Sequence, residues 1–263
     1  DYAGANFLDF SKDKTGDSIL AFKEKSFSAE GHIFVPDLAN GNEILYQKLS
    51  GTNGGFTLAV SESASTTSAD LIYAISSGSA TLVTSASVTK GQFNHVCAVY
   101  DRDFRDGALR LYVNQNLESQ SDKSALFGEI DFNLSPMYIG SGSIHSSVLD
   151  GNLSFVPSRT FSGSIDEVRI FHKARTIPEL RDSNKRGIFT SADLKLYFKF
   201  NEPSASIGNN AIALDSSGNS LHSLVSNYSV FNRQTGSLPI ALPSENRKHN
   251  PVLFPKYEKV ISI

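Results

Sequence analysis

The chain has 263 residues, with 24 Lys and Arg against 27 Asp and Glu and a formal charge of -3. Its basic residues are scattered among acidic ones, which excludes the basic stripe of a nucleic-acid binder, and no apolar run approaches the roughly 18 residues that cross a bilayer. The single cysteine, Cys97, excludes an intramolecular disulfide and a thiolate metal cluster, and within the apolar run His95 to Tyr100 it reads as a small buried hydrophobe.

Taken in chain order, the first clear element is Phe27 to Val35. Phe27, Ala29, Gly31, Ile33 and Val35 share one parity and Ser28, Glu30 and His32 the other, the pattern of a strand with one wet face. Short strands are expected next at Ile44 to Leu49, Phe56 to Val60, Leu71 to Ile75, Thr81 to Thr84, Val96 to Tyr100, Leu109 to Val113, Met137 to Ile139 and Ile165 to Phe171. Gly, Asn and Ser clusters separate them, as tight turns require. Ser61 to Ala69 and Gly140 to Arg159 lack durable periodicity and read as surface loops, the two places to look for function on a rigid scaffold. One helix is expected over Ile177 to Lys185, with Thr176 and Glu179 in capping-box spacing, Pro178 in the first turn and Gly187 past the end. Leu194, Leu196, Phe198 and Phe200 then alternate with Lys195, Tyr197 and Lys199, a second strand with a wet face. The count and spacing give an all-β, two-sheet antiparallel sandwich with one short helix.

Few residues suggest chemistry on their own. No GxSxG elbow, HExxH pair or phosphate-binding loop is present, and His32, His95, His145, His172, His222 and His249 lack metal-ligand spacing. Asp215-Ser216-Ser217-Gly218-Asn219 gathers oxygen donors around a tight turn. Such a loop serves either as a calcium site or as an Asx-turn. Sugar faces stack pyranose rings on flat aromatics, and this chain has no Trp. Tyr73, Tyr100, Tyr138 and Tyr197 are its candidates for a sheet face, and weak contacts of that kind gain from many copies.

Three ordered stretches carry a resemblance. FSGSIDEVRIFHKARTIPEL, Phe161 to Leu180, resembles the closing signature of laminin-G-like jelly rolls of the concanavalin A-like lectin/glucanase class. GQFNHVCAVYD, Gly91 to Asp101, resembles an earlier element of the same domains, with Phe93 where tryptophan is usual. LRLYVNQNLES, Leu109 to Ser119, resembles the hairpin that follows it. The resemblance implies a concanavalin A-like jelly roll. Leu194 to Ser223 resembles the element that normally opens such a domain, yet it comes last, which reads as circular permutation. The expected domain therefore runs over 1–235, with 191–235 completing it, and 236–263 forms a Pro-rich connector or arm. The chain opens at Asp1 rather than Met, which reads as processing or as an excerpt of a longer polypeptide.

The resemblance also frames function. Related glucanases carry a Glu, an Asp and a second Glu on one strand face. Glu129 and Asp131 supply half of that pattern, and Asn133 and Leu134 cannot deliver the missing proton, so the chain reads as a non-enzyme. Related jelly rolls often hold calcium between a loop and the Asp of an IDE motif, which makes Asp166, Asp215 and Asn219 the candidate ligands, with Asn201 a departure where Asp is usual. The alternative is the Asx-turn, with Asp166 bonded to loop N–H groups. The reading is a non-catalytic lectin-like module of a larger protein on a virion surface, docking to neighbouring subunits through its C-terminal arm and attaching weakly to host glycan. The other reading is a carbohydrate- or protein-binding module of a secreted or cell-surface bacterial protein.

Overall fold

The structure, a computed structural model, describes residues 18–23, 25–37, 41–50, 54–61, 65–77, 80–104, 108–122, 135–144, 147–149, 153–184, 186–201 and 212–225. The expected arm at 236–263 lies outside them. In chain order the elements are β1 (Phe27–Phe34), β2 (Glu43–Ser50), β3 (Gly54–Ser61), β4 (Ser68–Ser77), β5 (Ala80–Thr89), β6 (Phe93–Asp101), β7 (Ala108–Val113) and β8 (Asn116–Asp122). They continue through β9 (Met137–Ile139), β10 (Ser147–Leu149), β11 (Leu153–Phe155), β12 (Arg159–Thr160), β13 (Ser164–Phe171), α1 (Ile177–Ser183), β14 (Leu194–Phe198), β15 (Ile212–Ala213) and β16 (Ser223–Leu224).

Two sheets make the jelly-roll sandwich. The first has the order β14-β13-β1-β6-β7-β8, and the second β12-β2-β3-β4-β5 with β9 also on β2. Every pair is antiparallel except the two-residue contact of β12 with β2. Alternation explains the core. Phe27, Ala29 and Ile33 from β1 meet Phe56, Leu58 and Val60 from β3 and Leu71, Tyr73 and Ile75 from β4, all buried in one cluster between the sheets. Gly31 is needed there, because a Cβ would collide with the Tyr46 hydroxyl from the opposite sheet.

The wet face expected of β1 is not wet, and that of β14 is wet only in part, at half-buried Lys195. Ser28, Glu30 and His32 are buried, as is Tyr197. α1 and the chain around it cover this outer face, so the polar parity of β1 marks a second, polar packing layer. Leu180 of α1 sits on Cys97, Val99 and Tyr112. The strand Leu194–Phe198 pairs with β13 through Val168 opposite Phe198 and Ile170 opposite Leu196, which places the late element beside the signature strand. α1 begins as expected, with the Glu179 carboxylate accepting from the Thr176 N–H at 2.9 Å. It ends at Ser183, earlier than expected, with Asn184 as its C-cap in a right-handed conformation.

Candidate functional site

The outer face of the second sheet is built around Gln47. In register it lies opposite Thr57 on one side and Tyr138 on the other, and Thr57 lies opposite Ala74. Strand alternation turns this row away from the core. Gln47 is nevertheless buried, because the chain after β9 crosses over it. The Gln47 Nε2 donates to Thr57 Oγ1 at 3.2 Å and to the Ser143 carbonyl at 2.9 Å, while its Oε1 accepts the Ser143 N–H at 2.6 Å. Gly142 permits the crossing, since a Cβ there would strike the Gln47 amide. Gly140, at φ +73, starts it, donating to the Leu45 carbonyl at 2.7 Å and accepting from the Phe161 N–H at 2.9 Å.

Gly140 to Arg159 is thus more than the surface loop its composition suggests. It contains the hairpin of β10 with β11, and Phe155 packs on Ala59, Ile72 and Val83 of the outer face. Buried Glu43 holds the far end, accepting from the Ser162 N–H at 2.9 Å and from its hydroxyl at 2.8 Å. The strap leaves three large apolar side chains in water beside polar backbone: Tyr138 (44% exposed), Ile144 (71%) and Val156 (36%). Of the four tyrosines proposed for a sheet face, only Tyr138 reaches solvent. Tyr73, Tyr100 and Tyr197 are buried. The partners Gln47 and Ser143 carry no sequence motif; the paired glycines at 140 and 142 are the signal that could have marked them.

The loop at Asp215 is stitched to β14. The Asp215 carboxylate accepts the Tyr197 and Ser217 N–H groups at 2.9 Å, the Leu221 N–H at 3.0 Å and the Ser217 hydroxyl at 2.8 Å. The Asn219 amide donates to the Leu194 and Lys195 carbonyls at 3.0 Å. Asp166 is elsewhere. It lies on β13 with its carboxylate accepting the Glu167 N–H at 2.9 Å. Phe198 of β14 pairs with Val168 of β13 on one side and bridges Asp215 on the other, so about 10 Å of sheet separates the strands that carry the two aspartates.

These residues do not fit calcium as arranged. A carboxylate offers about four lone-pair positions, and four donors occupy those of Asp215, while the Asn219 nitrogen is turned toward carbonyls. Among the described residues no group of three or more His, Cys, Asp or Glu side chains could hold a metal ion. The hydrogen bonds at Asp215 draw an Asx-turn. Glu129 and Asp131, weighed as half of a hydrolase motif, lie outside the described residues.

Beneath α1 the buried charges form a closed set. The Arg169 guanidinium donates to Glu30 Oε1 at 3.2 Å, to Glu167 Oε2 at 2.7 Å and to the Ser183 and Arg186 carbonyls at 3.0 and 2.9 Å. Arg175 stands 3.4 Å from the other Glu30 oxygen. The Tyr197 hydroxyl also donates to Glu167, and burial pushes its ionisation upward.

Sequence comparison agrees with the architecture. The profile of the laminin G branch of the concanavalin A-like lectin/glucanases superfamily matches residues 14–181. The chain belongs to this superfamily. No curated protein matches this lectin/glucanase chain in sequence. Among solved structures it is similar to a proposed carbohydrate-binding protein from Bacteroides ovatus, with a TM-score of 0.53 and 21% identity. The match covers 75% of the chain and 51% of that protein, so the chain spans about half of its length. A heptameric SAP-like pentraxin from Limulus polyphemus aligns at a TM-score of 0.43 and 14% identity over 59% of the chain and 69% of its own. The CBM40 of the Ruminococcus gnavus IT-sialidase, bound to α2,3-sialyllactose, aligns at 0.41 and 13% over 59% and 80%. At 21% identity the likeness to the Bacteroides ovatus protein speaks for the fold alone.

Proposed function

We propose that this superfamily member is a non-catalytic, lectin-like module that binds glycan at the strap across its second sheet. The exposure of Tyr138 beside the Gln47–Ser143 clamp carries this reading. A flat ring in water on the strand position opposite Gln47 offers an apolar surface for a pyranose face. The shared fold with the Bacteroides ovatus protein supports the same class of ligand. One exposed ring gives a weak site, so the setting that suits it is a multivalent one.

That setting is, in our reading, a virion surface, where many copies would turn weak contacts into attachment and 236–263 would dock to neighbouring subunits. A secreted or cell-surface bacterial protein is the other setting, and the same site would serve it. The test of binding is a multivalent glycan array probed with the whole chain and with Tyr138→Ala. Binding that falls on substitution supports the site; binding that persists moves it elsewhere on the module; no binding by either protein removes the glycan reading. Purified particles containing the chain at fixed stoichiometry would decide for the virion. Release of reducing ends from a β-glucan, abolished by Glu129→Gln, would overturn the non-catalytic assignment.

A further inference from the structure

The outer face of β1 and β6 holds two histidines. His32 and His95 lie directly opposite in the β1–β6 register, with ring centroids 4.9 Å apart. Both are buried beneath the turn that follows α1. His32 Nε2 is 2.9 Å from Asn184 Oδ1, the C-cap of the helix, so the imidazole holds the end of α1. His32 Nδ1 and both ring nitrogens of His95 are buried without a hydrogen-bond partner.

The charges around this pair leave no room for another positive one. From β13 come Arg169, Glu167 and, opposite His32 in register, Asp166, from β1 Glu30, from the approach to α1 Arg175, and from β14 Tyr197. Glu30 and Glu167 are each engaged by an arginine, and the Asp166 carboxylate accepts the Glu167 N–H. On α1 itself, Glu179 pairs with Lys173 and Asp182 with Arg186, both toward solvent. Cys97 of β6 and Tyr112 of β7 complete the floor and offer no charge. A proton on either imidazole therefore adds an uncompensated buried charge.

We propose that α1 is an acid-released cap, whose detachment from β1 and β6 is driven by protonation of His32 and His95 while the two sheets stay packed. The sandwich core lies on the other side of β1 and contains neither ring. The depressed basicity of both groups agrees with this: burial, with the other imidazole next, lowers His32 to about 4, and burial, with Arg169 and Arg175, lowers His95 to about 3. Each ring that gains a proton on opening makes opening about tenfold more favourable per pH unit, so two give about a hundredfold, over the range between the ordinary histidine value and these depressed ones.

The chain carries its own reporter. Cys97 is the only cysteine, is fully buried and sits under Leu180 of α1. Its labelling by 4,4′-dithiodipyridine, a thiol reagent that works in acid, would be followed from pH 7 to 4 on the whole chain. Rates are normalised to the urea-unfolded chain at each pH, and far-UV circular dichroism is recorded in parallel. Normalised labelling should climb below pH 6.5 by about one to two decades per pH unit, while the β signal is retained. His32→Gln and His95→Gln should each remove about one decade per unit from that slope. Asn184→Ala should speed labelling at pH 7 and leave the slope of the parent. Cys97 protected until the β signal is lost would overturn the proposal, as would an unchanged slope in both histidine variants. A slope reduced by His172→Gln would overturn it too, because His172 meets the Phe22 ring edge to face and is not part of the His32–His95 pair.

Discussion

The Gln47 amide grips the Ser143 peptide from both sides, accepting its N–H and donating to its carbonyl. A single buried side chain thus does for the strap what a neighbouring strand does in a ladder. Gln47→Leu keeps the volume and deletes both bonds to Ser143 along with the one to Thr57, leaving an N–H and a carbonyl without these partners at a cost of about 1–3 kcal/mol. Urea unfolding should show that loss, and limited proteolysis should show new cleavage within 140–144. Gly142→Ala should give the same cleavage pattern, because its Cβ displaces the Gln47 amide.

Tyr138→Ala separates binding from stability. The ring is 44% exposed, so its removal should change the free energy of unfolding by less than about 0.5 kcal/mol, the usual range for surface sites. Glycan retention on an array should fall by tenfold or more, a loss of about 1.4 kcal/mol. A large stability loss would mean that the ring is packing rather than contact surface.

Glu30 and Arg169 are expected to behave as a unit. Arg169→Met alone leaves the Glu30 carboxylate with Arg175 as its remaining cation and should cost about 3–5 kcal/mol. Glu30→Gln with Arg169→Met together should cost markedly less than the sum of the single changes, since the two charges that face each other leave together. A double-mutant cycle by urea denaturation checks this.

Acid should weaken the fold through three histidines. His32 is lowered to about 4 and His95 to about 3, and His172 also falls to about 3, by burial and by Lys195 and Lys25. In each case the unfolded chain binds the proton first, so stability decreases as pH falls from about 6.5 toward those values and is unaffected by them above about 7.5. Urea midpoints measured from pH 8 to 4 should be flat at first and then drop. A midpoint that rises on acidification would contradict the burial of these rings.

At Asp215 the expected outcome is insensitivity to chelation. With its carboxylate occupied by four donors, EDTA should leave the melting temperature unchanged, since only a bound ion adds stability by mass action. Asp215→Ala should nevertheless destabilise by about 1.5–3 kcal/mol by removing the charged acceptor of those bonds. A melting temperature raised by added calcium would restore the metal reading.

Particular residues show how far the sequence carries this molecule. The alternation at Phe27, Ala29 and Ile33, the capping pair Thr176 and Glu179, and the alternation of Leu194, Leu196 and Phe198 are local features, and all were legible. The burial of Glu30, His32 and Tyr197 was not. Period-two polarity says which residues share a face, but it cannot say that a helix from another part of the chain will cover that face. The clamp at Gln47 was hidden for the same reason: its partner is 96 residues away and is a backbone peptide, which leaves no trace in composition. At Asp215 the cluster of oxygen donors was legible, but not that N–H groups from Tyr197 to Leu221 would converge on its carboxylate.

Covering the outer side of each sheet has an implication for change over time. The strap hides one such side and α1 the other, so substitutions on the strands are judged by how they pack, whichever way they point. In the strap the contacts run through the Gln47 amide, the glycines at 140 and 142 and Phe155, so the outward side chains of Ile144 and Val156 can be exchanged without disturbing the frame. Diversity among relatives should therefore collect there, and a library confined to those outward positions would be the economical route to new ligand preferences on this scaffold.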